Sequence, residues 1–416
     1  MRDRHPRYRS SLLASAATIL ALVSACGGPA SAPGVAVPAA DGPAIGTVQQ
    51  IYDGALLPDL QVETFRNIDR LYPTRVVPRG PDVHPLPRSP EPITELSFES
   101  GGRRYDLYDY MSLNRVSGLL AIKDGRIVLE LYALGNDGTT RWMSMSVVKS
   151  MTATLVGAAL VDGHIGSLDD MVTAYLPDLR GSAYAGVTVR HLLHMTSGVG
   201  WNETYTDPAS DRRRMLEAQN AQEPGAILQL MAALPRVAEP GTRWNYSTGE
   251  THVLGALVRA ATGRPVARYL SETIWARFGM EADATWWLES PDGLEVGGSG
   301  LSATLRDYGR FGLFLLGGGE AGGGRRLPEG WVEEAGSPTL VDGERVDYGY
   351  MLWPIADREG TIHDSAFEAV GIFGQHVYVN PDERLVIVVW QALPKPLMPP
   401  PVDDEAFFAA LAGAVR

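Results

Sequence analysis

The chain has 416 residues, 45% of them hydrophobic and 20% charged, and a net charge of −13. That length is enough for a large core, as one big domain or two interleaved ones. The acidic balance, with no basic run, argues against a nucleic-acid partner, and beyond the N-terminus no apolar run reaches the ~18 residues of a membrane span.

The first residues have the layout of a targeting segment. Arg2, Arg4, Arg7 and Arg9 precede an apolar stretch, Leu12 to Ala25, that is short for a span. It ends in Val23-Ser24-Ala25-Cys26-Gly27-Gly28, which resembles the lipobox of bacterial lipoproteins. The expectation is a signal peptide over 1–25 and a lipidated Cys26. The product would be an exported protein anchored at the cell envelope. An ordinary cleaved signal peptide with an incidental cysteine is the alternative. Cys26 is the only cysteine, so no intramolecular disulfide can form. Residues 26–46, mostly Gly, Pro, Ala, Ser and Val, read as a flexible tether. Residues 47–416 remain as the folded domain.

A short helix is predicted over Val62 to Leu71, and prolines from Pro73 to Pro92 predict an extended segment wrapped on the body. Gly118 to Lys123 and Arg126 to Leu134 flank Asp124-Gly125, a hairpin with a two-residue turn. Next comes Trp142-Met143-Ser144-Met145-Ser146-Val147-Val148-Lys149, the start of a helix that runs to about Val161 and is apolar on all sides. Ser146 and Lys149 lie three apart, one turn along the same face. A serine hydroxyl is a weak nucleophile until a base takes its proton. A lysine can be that base once burial lowers its pKa from about 10.4. The alternative is a lysine on a solvent-facing helix. Met145, Val147, Val148 and Met151 around the pair argue against it.

Helical patterns continue at Asp169 to Tyr175, Val189 to Met195, Asp211 to Gln219, Ile227 to Leu234, Thr251 to Ala261, Pro265 to Phe278 and Thr304 to Leu316. The end of the chain turns to strands, predicted at Tyr348 to Trp353, Gly371 to Val379 and Leu385 to Trp390, before a closing helix from Asp404 to Val415. The layout is α+β: an antiparallel sheet from the N- and C-terminal parts, flanked by helices, with a helical insertion.

Five stretches together carry a resemblance: Ser146-Val147-Val148-Lys149, Leu192 to Gly198 (LLHMTSG), Asn245-Tyr246-Ser247-Thr248-Gly249, Gly297 to Thr304 (GGSGLSAT) and Gly371-Ile372-Phe373-Gly374-Gln375. Over most of residues 60–416 the chain resembles the serine β-lactamase and penicillin-binding-protein superfamily. Within it the chain is most similar to class C-like hydrolases, including carboxylesterases and 6-aminohexanoate-dimer hydrolases. The resemblance implies a β-lactamase/transpeptidase-like fold and an acyl-enzyme on Ser146, with Lys149 as base and no cofactor or metal. Tyr246 falls where such proteins keep a Tyr-x-Asn and would relay the proton. Thr248 replaces the Asn, which bears on how Lys149 or a substrate amide is oriented. The Lys-Thr-Gly position falls on Ala369-Val370-Gly371, with no cation, so the carboxylate of a β-lactam or a D-Ala-D-Ala peptide has no partner there. The Ile372 N–H, just after Gly371, would pair with the Ser146 N–H as an oxyanion hole. Tyr205 would stand at the pocket rim and touch the substrate; a loop aromatic packed on the body is the other reading of it.

The reading is a serine hydrolase of a small-molecule ester or amide. The rivals are a β-lactamase or D-alanyl-D-alanine carboxypeptidase, and a catalytically silent cell-envelope binding lipoprotein. No Gly-x-Ser-x-Gly elbow is present for an α/β-hydrolase. His191 and His194 lack a completing ligand for a metal set and read as packing or surface residues.

Overall fold

The Asp124-Gly125 turn has φ of 51° and 72°, the pair of left-handed residues that a two-residue hairpin needs. It joins β1 (Val116–Lys123) to β2 (Arg126–Tyr132). In this computed structural model, which describes residues 42–356 and 359–416, that hairpin is one end of a six-stranded antiparallel sheet. The other strands are β3 (Trp353–Pro354), β4 (Phe367–Gly371), β5 (Gln375–Asn380) and β6 (Leu385–Gln391). The spatial order is β3-β4-β5-β6-β1-β2, so both ends of the domain build one sheet, as the sequence predicts. The expected signal peptide, Cys26 and the expected tether as far as residue 41 lie outside the described residues. Among the described residues no helix is long and apolar enough to cross a membrane.

Alternation along the strands sends side chains to two cores. Leu120, Ile122, Val377, Val386 and Val388 face a core shared with the helices α1 (Val147–Val161) and α3 (Leu305–Leu316), and α2 (Thr248–Thr262) packs on α1. Leu119, Ala121, Tyr378, Ile387 and Val389 face α4 (Asp404–Ala414) through Phe407, Phe408 and Leu411. The first thirteen residues of α1 are all buried, which explains a sequence with no polar face. A second, four-stranded sheet takes the order Thr74–Val77, Ala284–Trp287, Leu301–Thr304, Arg141–Met143. Its last strand delivers the chain directly to Ser144, whose N–H bonds Leu301 O at 2.8 Å.

Three predicted elements need correction. The helix expected over Val62 to Leu71 is Pro58–Arg66, begun by a proline in its first turn, with a 3-10 turn at Ile68–Arg70. Tyr348 to Leu352 is not strand. Tyr348 and Tyr350 are buried by core packing without a ladder, and only Trp353–Pro354 pairs with β4. The strand expected from Gly371 to Val379 is the end of one strand, a turn, and another. Gly371 ends β4, Gly374 turns with φ of 83°, and β5 starts at Gln375.

Candidate active site

Ser146 caps the start of α1, and Met145 before it holds φ at 47°, a left-handed conformation that a methionine adopts only under constraint. That turn lifts the serine to the wall of a cavity of about 990 Å³. One helical turn on, Lys149 is 1% exposed. Its Nζ lies 2.9 Å from Ser146 Oγ and donates to Gly298 O at 2.8 Å. Burial lowers the lysine from 10.5 to about 7, while the Glu203 charge pulls it upward and Arg212 pushes it down. An amine at this value is half neutral near pH 7 and can take a proton from the serine. The loop Gly297 to Gly300 serves this lysine: it precedes the strand Leu301–Thr304 that pairs with Arg141–Met143.

Tyr246 precedes α2, and its ring centroid is 5.3 Å from Lys149 Nζ. Burial and then the Glu203 charge raise its hydroxyl above 10, opposed by a hydrogen bond with Ser146. The phenol is therefore protonated beside the serine, as a proton donor must be. Thr248, the first residue of α2, does not line the large cavity. Its N–H donates to Glu203 Oε2 at 2.9 Å and its hydroxyl to Glu203 Oε1 at 2.5 Å. The group facing the cavity is thus the carboxylate of Glu203, which also accepts from the Trp201 indole and lies 4.0 Å from Arg212. Tyr205 does reach the cavity wall; it is buried, hydrogen-bonded to Glu203, and packs on Tyr52 at 5.7 Å.

Gly371 and Ile372 close the other side. A Cβ on Gly371 would stand 2.9 Å from Met145 Cβ and 2.5 Å from Gln375 Oε1, so only glycine lets the end of β4 touch the serine's turn. Both Ser146 and Ile372 line the cavity, and among the described residues neither N–H is used in a backbone hydrogen bond. Two unpaired donors flanking a nucleophile are the elements of an oxyanion hole. Behind them, Leu397 in the proline-rich segment donates its N–H to Ile372 O at 2.9 Å and fixes that turn.

Ser146, Lys149, Tyr246, Tyr205, Gly371 and Ile372 therefore meet at one place. His191 and His194 do not: His194 Nδ1 pairs with Thr339 Oγ1 at 2.9 Å, and burial lowers both imidazoles. Glu203 and Arg212 were missed by the sequence reading. The only signal for Glu203 was its place between Trp201 and Tyr205; Arg212 lies on a helix with no motif.

The family model "Beta-lactamase" matches residues 114–412. The chain is 29% identical to the 6-aminohexanoate-dimer hydrolase of Paenarthrobacter ureafaciens over 347 residues, 80% of this chain and 85% of that protein. It is 32% identical to Esterase EstB of Burkholderia gladioli over 142 residues, 32% of this chain and 36% of that one. The solved structure named "Putative 6-aminohexanoate-dimer hydrolase from Bacillus anthracis" superposes with a TM-score of 0.74 at 22% identity, over 86% of this chain and 94% of that one, and shares the fold.

Proposed function

The chain belongs to the Beta-lactamase family, and on that premise we propose that it is an exported serine hydrolase that opens an ester or amide through an acyl-enzyme on Ser146. Neutral Lys149 takes the Oγ proton as the oxygen attacks the carbonyl. The oxyanion is held by the N–H groups of Ser146 and Ile372. Tyr246, protonated at neutral pH, gives its proton to the leaving oxygen or nitrogen and takes the one that Lys149 holds; water then attacks the acyl group, Lys149 takes the water's proton, and that proton returns to the departing Ser146 oxygen. The observation that carries this reading is the 2.9 Å approach of a buried, near-neutral lysine to a serine on the cavity wall.

The preference for an ester or amide over a β-lactam or D-Ala-D-Ala peptide rests on Ala369-Val370-Gly371, which offers no cation to a substrate carboxylate. It is in keeping with relatives named as an amide-dimer hydrolase and an esterase. Export, and anchoring through a lipid on Cys26, rest on the basic-then-apolar leader ahead of that cysteine.

Intact mass after treatment with a fluorophosphonate tests the core of the proposal, on protein lacking residues 1–25 and on its Ser146→Ala variant. One adduct on the first and none on the second is expected. An unmodified serine in both would leave a silent binding protein as the better reading. Nitrocefin turnover faster than that of any simple ester would move the assignment to a β-lactamase.

A further inference from the structure

Strand β4 is a ruler leading away from the oxyanion donors. Glu368 and Val370 are its half-buried positions, and both line the cavity together with Ile372. Ile372, just past the end of the strand, lies four residue steps from Glu368, about 13 Å along extended chain. At that far end Trp353 of β3 stands directly across from Glu368. Facing positions on neighbouring strands put their Cβ atoms about 5 Å apart, so an indole and a carboxylate share one corner of the cavity. Trp353 is held there by other rings: Tyr348 at 4.6 Å, Tyr246 at 5.7 Å and Trp244 at 6.1 Å.

The charge at this corner is negative. His376 Nδ1 pairs with Glu368 Oε2 at 2.8 Å, and Nε2 lies 3.4 Å from Asp404 Oδ2. Burial opposes the imidazolium, but the two carboxylates raise it to about 10, so it neutralises one of them and not both. Both carboxylates line the cavity; Asp404 is further bonded by Tyr110 and Gln391, each at 2.6 Å, whereas Glu368, paired with the imidazolium, is the one that stands beside the indole. Glu405 adds a further carboxyl to the wall, which burial and the neighbouring carboxylates raise to about 7, and among the described residues the His376 imidazolium is the cation that lines the cavity, with no lysine or arginine beside it. A carboxylate beside an aromatic face is the pairing that holds an alkylated ammonium, and with two carboxylates against one imidazolium the corner keeps a net negative charge that disfavours an anion.

We infer that the cavity is a binding site for substrates with a cationic head, an alkyl- or quaternary ammonium seated between Trp353 and Glu368, with the ester or amide bond at the Ser146 end. This rests on the hydrolase reading, and the test separates the two. p-Nitrophenyl ω-(trimethylammonio)alkanoates of increasing arm length are compared with their neutral tert-butyl isosteres. The cationic member is expected to lead in kcat/KM by about tenfold at its best length. That ratio should fall toward one in Glu368→Gln and in Trp353→Leu. A ratio at or below one at every length, with the neutral esters turned over, overturns the inference and leaves the hydrolase standing. If neither series is turned over, the hydrolase reading fails. The cation site is then read by tryptophan fluorescence, in the Ser146→Ala protein titrated with an alkyltrimethylammonium salt. Saturable binding that Glu368→Gln weakens upholds it, and no saturable binding rejects it.

Discussion

Replacing Lys149 by methionine separates what this side chain does for the reaction from what it costs the fold. The lysine is 1% exposed and burial brings it from 10.5 to about 7. In the unfolded chain it returns to the ordinary value. Between about pH 7 and 10.5 the unfolded chain therefore holds a proton that the folded chain lacks, and stability from this residue rises with pH by about 1.4 kcal/mol per unit. The penalty grows as pH falls through that window and is complete below it, reaching on the order of 4 kcal/mol at pH 7. Methionine escapes the penalty and gives up the contacts to Ser146 Oγ and Gly298 O, each worth about 1 kcal/mol. The variant should thus be more stable by about 2 kcal/mol at pH 7, and the advantage should vanish and reverse toward pH 10. Urea unfolding of both proteins at several pH values reads the difference directly. Over the same range the variant should lose about 10²–10⁴ in kcat, while the wild type's kcat/KM rises with pH around a midpoint near 7. A stability difference that stays constant from pH 7 to 10 would show that Lys149 does not lose its proton on folding, and the base would have to be sought elsewhere.

Glu203→Gln removes a charge that holds Lys149 and Tyr246 up, so the acidic limb of kcat/KM should move to lower pH; a limb that stays put or moves up contradicts the electrostatic link. Gly371→Ala forces a methyl to within 2.9 Å of Met145 Cβ and should push the Ile372 N–H away from the serine. Its kcat should drop by about 10²-fold with a stability loss of only about 1–3 kcal/mol, and near-wild-type kcat would remove Ile372 from the oxyanion hole.

The parts of this molecule that were legible in the sequence are those fixed by near neighbours along the chain. Ser146 and Lys149 needed only three residues of helix, and the Asp124-Gly125 hairpin only its own turn. Tyr246 and Ile372 became readable through whole motifs resembling a family, yet the strand drawn through Gly371 ran straight over the turn that presents the amide. The stretch from Tyr348 to Leu352 imitated a strand because Tyr348, Tyr350 and Leu352 are large apolar residues at every second position, buried without a ladder to pair them. Glu203 was out of reach because its partner Thr248 is 45 positions away and nothing local marks the bond. The same holds for Trp353 opposite Glu368, a pairing that exists only once the register of β3 on β4 is known. The groups proposed to break the bond are read from local spacing and from motifs, and the groups that face the rest of the cavity are set by tertiary pairings. A sequence of this kind therefore reveals its reaction more readily than its substrate, and the register of one short edge strand carries the information that the motifs do not.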